Sequence, residues 1–253
     1  VAELAYEPPK PGNSLVLTLD RDLQARTEQT LREGMLAAKS DAAVAIVMSP
    51  RTGEILSLVS LPSYDNNLFA QGNVEEYAKL SSDPTLPMFN RAIAGQYPPG
   101  STFKVITTAG ALEAGITKMT STFPYESKTM LSGVPLSNAG GEVCGGTLVQ
   151  AFAVSCNSVF APLGAKLGAQ GLVKTAEAFG FNRPPAFPIV AQSTIPQADA
   201  IGDDLAVGST AIGQGRVQAT AVQMAEAAGV VANRGRRRSL TLDLAQARTA
   251  RAG

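Results

Sequence analysis

Ser101-Thr102-Phe103-Lys104 sets a hydroxyl and an amine three residues apart. On a helix, positions i and i+3 share a face, with Cβ atoms about 5–6 Å apart. A serine in a first helical turn also meets the positive end of the dipole and free backbone N–H groups, which stabilise an alkoxide or a carbonyl oxyanion. Burial lowers a lysine's proton affinity and turns it into a general base. One turn could therefore supply a nucleophile, its base and half an oxyanion hole. The same four residues also fit a helix-capping serine and a surface lysine. Their position after Tyr97-Pro98-Pro99-Gly100 raises the chemical reading, because the prolines cannot lie inside a helix and so start it at about Gly100–Ser101. Ser155-Cys156-Asn157 is a second candidate. It interrupts two apolar helical segments, where a loop can project into a cleft, the serine relaying a proton and the asparagine bonding an amide. The alternative is a capping serine or asparagine opening the next helix.

Composition narrows the chemistry further. The chain has no histidine and two cysteines. That excludes Ser-His-Asp triads, Cys-His dyads and Cys/His zinc sites, leaving Lys, Asp, Glu or Tyr as a base. The formal net charge of zero is uneven. Residues 1–233 carry 8 Lys and 7 Arg against 20 acids, and residues 234–253 carry 6 Arg and 1 Asp. No aromatic residue accompanies those arginines, so they read as a solvated, atypical tail and not as a nucleic-acid surface. No apolar run approaches the 18 residues of a membrane span. VAELAYEPPKPG lacks the basic and apolar regions of a signal peptide.

The elements that must position these residues follow from periodicity. Residues 1–13, with EPPKPGN, read as a linker from an upstream region. Ser14–Leu19 alternates like a strand, and Asp20 or Asp22 can cap a following helix in which Leu23, Leu31, Met35 and Leu36 fall near helical spacing. Ala43–Met48 and Ile55–Ser60 flank a turn containing Gly53, an antiparallel hairpin expected near a sheet centre. Residues after Pro62 read as irregular to about Pro87. Phe103, Ile106, Ala109 and Leu112 recur at helical spacing up to a Gly115 cap. Further helices are expected on both sides of Ser155–Asn157, at Leu172–Phe181 and at Ala219–Ala232. Early strands and crowded later helices make an α+β domain with a helical insertion.

Taken together, S-x-x-K followed some fifty residues later by S-x-N is the ordered signature of the penicillin-recognising serine acyltransferases. FNRAIAGQYPPGSTFKVITTAGALEAG resembles the nucleophile region of class B penicillin-binding proteins, the monofunctional peptidoglycan transpeptidases. VAIVMSPRTGEILSLVSLPSYDNN resembles their first hairpin, FAVSCNSVFAPLGAKLG their second motif, and AIGQGRVQATAVQMAEAAGVVAN their Gly-Gln-Gly turn and helix. The chain is most similar to the actinobacterial penicillin-binding protein A group, over about residues 14–233.

The resemblance implies a penicillin-binding protein transpeptidase / serine β-lactamase-like fold, with a central antiparallel sheet and a helical subdomain. It implies a D,D-transpeptidase that needs no metal or organic cofactor. Ser101 would be the nucleophile, Lys104 its base, Ser155 the proton relay and Asn157 the holder of the acyl-donor backbone. The partners implied are stem peptides ending in D-Ala-D-Ala, β-lactam antibiotics that acylate Ser101, and proteins of the divisome or elongasome. The location implied is the extracytoplasmic face of the bacterial membrane, with an anchor upstream of Val1. One departure stands out. The family's third motif, Lys-Thr/Ser-Gly, is absent, since Lys174-Thr175 is followed by Ala176 in a helical stretch. The expected organisation is a linker at 1–13, a C-terminally incomplete transpeptidase domain at 14–233 and the atypical tail at 234–253. A non-catalytic or sensor-type penicillin-binding domain and a serine β-lactamase are the alternatives. Against the latter, no loop after the second motif carries a water-activating glutamate, Glu177 lying in a helical pattern. Three smaller readings complete the sequence. An extracytoplasmic domain permits a bridge between Cys144 and Cys156, and two unpaired thiols are the alternative. Arg91 is expected to anchor the 62–90 loop through a carboxylate. Gly213-Gln214-Gly215 is expected to allow close backbone approach beside the cleft.

Overall fold

The computed structural model describes residues 10–70, 72–185 and 189–251. Most of the expected linker lies outside these. The first helix, α1 (Arg21–Ala37), starts at Asp20, whose carboxylate accepts the Leu23 N–H at 2.9 Å. Asp22 sits in the first turn instead. The helix buries none of its residues, and Leu36 is fully on the surface. Its contribution is polar. Gln24 donates to the Leu58 carbonyl and accepts from the Leu58 N–H, both at 2.9 Å, and so occupies a strand edge.

That strand belongs to the hairpin β1 (Ala43–Met48) and β2 (Ile55–Leu61), antiparallel from Ala43↔Leu61 to Met48↔Ile55. Its boundaries match the sequence pattern to within one residue. Its surroundings differ from the expected sheet centre. Among the described residues, no other strand pairs along its length. The outer edge of β2 meets Gln24, and its apolar side chains are buried by helices and loops. Residues 14–19 make a single bridge, Leu17↔Asp243, and not a strand.

The Arg-rich segment from 234 is built into this end of the molecule. Thr241 donates to the Gly53 carbonyl and accepts from the Ile55 N–H, at 2.9 and 3.0 Å. Thr18 donates to Leu242 at 2.9 Å, and Leu240 is buried with Ile55, Val190 and Val222. Arg237 forks onto the buried Glu226, with Nε 2.8 Å from Oε1. Composition marked a break at 233 that packing does not follow.

Two helices lie in the stretch expected to be irregular: α2 (Asn67–Ala70) and α3 (Val74–Ser82). The signal was present in Asn73-x-x-Glu76, since Asn73 caps the Glu76 N–H and Lys79 pairs with both Glu75 and Glu76. Arg91 does hold this region, but through carbonyls and not a carboxylate. Its guanidinium donates to Thr85 at 2.6 Å and Leu86 at 3.0 Å.

The helical part begins with a 3-10 turn at Gly100–Phe103 that runs into α4 (Lys104–Glu113). Three short strands follow: β3 (Thr122–Glu126), β4 (Lys128–Leu131) and β5 (Val134–Ser137). Next come β6 (Cys144–Thr147), paired with β3, and α5 (Leu148–Ala153). Helix α6 (Asn157–Ala178) carries a break at Gly168, where φ is 73°. It therefore joins the two helices expected on either side of that point. The series closes with α7 (Ala198–Ile201), α8 (Asp204–Ala211), α9 (Ala221–Ala232) and α10 (Leu244–Arg251). The largest core cluster lies where α4, α6, α8 and α9 meet, around Phe103, Leu172, Phe181, Val207 and Val217. No described helix is long and apolar enough to cross a membrane.

Candidate active site

Ser101 lies in the 3-10 turn and Lys104 opens α4. A 3-10 turn has three residues per turn, so i and i+3 stack more closely in line than on an α-helix. Between them Phe103 is fully buried, edge-on to Phe181 with ring centroids 5.5 Å apart. That anchor fixes the rotation of the turn and leaves Ser101 on the exposed side. Among the described residues, nothing hydrogen-bonds the Ser101 hydroxyl.

The chain before Ser101 is held largely by backbone, with the Thr102 hydroxyl donating to the Pro99 carbonyl at 2.6 Å. Tyr97 and Ala219 exchange N–H and C=O at 2.9 and 2.8 Å, and the Gly100 N–H donates to the Gly213 carbonyl at 2.9 Å. Gly213 has φ of 74°, and a Cβ there would fall 2.0 Å from the Gly100 oxygen. The Gly213-Gln214-Gly215 turn thus lies against the residue preceding Ser101, the close approach its glycines foretold.

Lys104 is 1% exposed. Its ammonium donates to the Ser155 carbonyl at 2.6 Å, the Asn157 Oδ1 at 2.7 Å and the Ser155 Oγ at 2.9 Å. It also stands 5.7 Å from the centre of the Phe160 ring. Every one of these groups is neutral. Burial without a counter-ion penalises the charged form and lowers the lysine to about 8.

Ser155 reaches this position by a break between helices. α5 ends at Ala153, and Ser155 adopts φ of 59°, the left-handed region that non-glycine residues rarely take. α6 then starts at Asn157. Cys156 between them is bonded to Cys144, with Cα atoms 5.8 Å apart. The bridge that the sequence left open is formed, and it ties the turn to β6. The Asn157 Nδ2 donates to the Ser137 carbonyl at 3.1 Å.

The four residues singled out by spacing thus divide. Lys104, Ser155 and Asn157 are in direct contact, and Ser101 precedes Lys104 by one turn. Sequence reasoning missed Ser137 and Asn138, which face the second motif. LSNAGGE reads as a plain loop, and no local pattern marks it. No cluster of His, Cys, Asp and Glu able to hold a metal occurs among the described residues.

Comparison with known proteins agrees with this geometry. The profile of the penicillin-binding protein transpeptidase domain matches residues 43–246. Peptidoglycan D,D-transpeptidase PbpA of Mycobacterium tuberculosis is 41% identical over 239 residues, covering 88% of this chain and 47% of that protein. Peptidoglycan D,D-transpeptidase MrdA of Acinetobacter baumannii is 33% identical over 248 residues, covering 92% of this chain and 35% of that protein. Among solved structures, the penicillin G acyl-enzyme complex of penicillin-binding protein A from M. tuberculosis superposes with a TM-score of 0.84. It shares 37% identity over 90% of this chain and 54% of that one. The chain belongs to the penicillin-binding protein transpeptidase family, with its α+β fold. It spans about half the length of the PbpA relatives, and the match runs past residue 233 into the Arg-rich segment.

Proposed function

We propose that this chain serves a peptidoglycan D,D-transpeptidase acting through an acyl-enzyme on Ser101. The observation that carries the reading is the buried Lys104, held by neutral acceptors alone one turn after an exposed serine. Ser101 Oγ attacks the carbonyl of the penultimate D-alanine of a stem peptide, and its proton passes to the neutral Lys104 amine. The Ser155 carbonyl and Asn157 Oδ1 can only accept hydrogen bonds, and both keep the amine's N–H groups occupied. Ser155 Oγ both donates and accepts, so the proton's onward path from Lys104 runs through that hydroxyl. The proton then goes from Lys104 and Ser155 to the departing D-alanine amine. An amine from a neighbouring stem peptide displaces the enzyme from the acyl group and forms the cross-link. Asn157 holds the donor backbone, since its Nδ2 keeps a second hydrogen beyond the one given to Ser137.

β-Lactams take the place of the D-Ala-D-Ala end and stop at the acyl-enzyme. The substrates are peptidoglycan stem peptides, and divisome or elongasome proteins are the partners to seek. An extracytoplasmic location is supported by the Cys144–Cys156 bridge, which oxidising compartments preserve. The test is the intact mass of the chain after incubation with benzylpenicillin, beside Ser101→Ala. A persistent adduct in the parent and none in the variant is the expected result. No adduct on a chain that circular dichroism finds folded overturns the reading. Rapid loss of the adduct assigns a β-lactamase instead, and a stable adduct without cross-linking of supplied stem peptides assigns a sensor.

A further inference from the structure

Helix α6 presents Asn157 to Lys104, yet its own first turn lacks a cap of the usual kind. Its N-cap residue is Cys156, and no side-chain cap bond comes from it. The sulfur is committed to the bridge with Cys144. A disulfide sulfur has no proton and is a poor acceptor, so it cannot take the N–H groups that a serine or aspartate would. The Ser158 N–H is nonetheless satisfied. It donates at 2.8 Å to the Oδ1 of Asn138, twenty residues earlier in the chain.

Asn138 is 6% exposed and uses its whole side chain. Its Nδ2 donates to the Glu126 carbonyl at 2.7 Å and the Glu142 carbonyl at 2.9 Å, and lies 3.3 Å from Ser158 Oγ. Those two carbonyls fix which way the amide points, because only the nitrogen end can face them. The oxygen end must then face α6. Its own N–H is taken by the Ser127 carbonyl at 2.9 Å. The side chain is thus oriented by groups that lie outside α6.

The neighbouring residue completes the arrangement. The Ser137 carbonyl can only accept, so Asn157 turns Nδ2 toward it and Oδ1 toward Lys104. Residues 137 and 138 thus set residues 157 and 158 in register. We infer that Asn138 is a positioning residue for acylation, capping α6 from another segment and so holding the Asn157 amide and the adjoining Ser155 against Lys104. It touches neither Lys104 nor a reacting atom. The inference rests on the reading of Ser101 and Lys104 above.

The test uses the whole chain with Asn138→Ala and Asn138→Asp. Benzylpenicillin acylation is followed against drug concentration and pH, and backbone hydrogen exchange is read over residues 155–161. Asn138→Ala should lower the limiting acylation rate about ten- to thirtyfold, with the half-saturating concentration changed less than about threefold. That corresponds to the loss of one cap, up to about 2 kcal/mol. Exchange at Ser158 should quicken at least tenfold. Asn138→Asp keeps an acceptor for Ser158 but sets its other oxygen against the Glu126 and Glu142 carbonyls, so exchange there should fall between that of the parent and that of Asn138→Ala. Should Asn138→Ala not fold, that partial loss of protection, with a lowered limiting rate and a displaced pH profile, is the result expected of Asn138→Asp. A folded Asn138→Ala that acylates within twofold of the parent, or unchanged exchange at Ser158, overturns the inference. If the parent itself takes no adduct, the acylation reading has failed. The exchange at Ser158 then still decides whether Asn138 caps α6.

Discussion

Two buried charged side chains in this molecule are handled in opposite ways. Glu226 on α9 is 5% exposed and meets a counter-ion, the Arg237 guanidinium, with Gln223 adding a bond at 3.2 Å. Lys104 on α4 is 1% exposed and, among the described residues, meets only a carbonyl, a hydroxyl, an amide oxygen and an aromatic face. A paired charge is locked, since removing either partner strands the other in a poor solvent. A buried charge among neutral dipoles keeps hydrogen bonds in both protonation states, so it can lose its proton without unmaking the site. The first arrangement joins two segments of the chain. The second is poised to accept a proton.

Substitutions that exchange these roles separate the two. Lys104→Met should lower benzylpenicillin acylation by at least about 10³, in the range that general bases contribute. Its thermal midpoint should not fall, because an apolar side chain of similar length replaces a charge buried without a counter-ion. Glu226→Leu should do the reverse. It costs about 2–3 kcal/mol in denaturant unfolding, less than a fully enclosed pair because Arg237 is partly exposed, and leaves acylation within about twofold. Asn157→Asp gives Lys104 the counter-ion it lacks, 2.7 Å away. An opposite charge at that range raises a lysine by about 1–3 pH units. The acylation profile should move to higher pH by at least about one unit, with roughly a tenfold loss at neutrality.

The smallest effect is on stability. Lys104 is depressed from 10.5 to about 8 in the folded chain, so between those values the unfolded chain binds more protons. Unfolding free energy should therefore rise as pH climbs through that window, relative to Lys104→Met measured in parallel. An identical slope in both proteins would mean that Lys104 is not the group titrating.

The parts of this comparison differed in how visible they were in the sequence. Lys104 could be picked out because one turn of backbone carries both it and Ser101, and the prolines before them announce the helix start. Ser155 and Asn157 were legible as an interruption between apolar segments. Their contact with Lys104 was not, since it depends on how α6 packs against α4. The hairpin was legible from two apolar runs around Gly53. Its neighbours were not, because Gln24 and Thr241 reach it from distant parts of the chain. Glu226 falls within the helix expected at Ala219–Ala232, and no spacing there marks it as paired. Its partner lay in an arginine-rich stretch whose composition suggested solvent. Asn138 left no trace, as a cap supplied from twenty residues away has no local spacing. The Cys144–Cys156 bridge required a Cα separation that sequence does not contain.

The most direct test of the account is the pH dependence of the limiting acylation rate of the unaltered chain by benzylpenicillin, from pH 6 to pH 10. If a buried Lys104 without a counter-ion is the base, roughly one molecule in ten is competent at pH 7. The rate then rises with pH through about 8 and levels above it. A rate flat across that range, or one whose only inflection falls below pH 6, would contradict it and assign proton removal from Ser101 to another group.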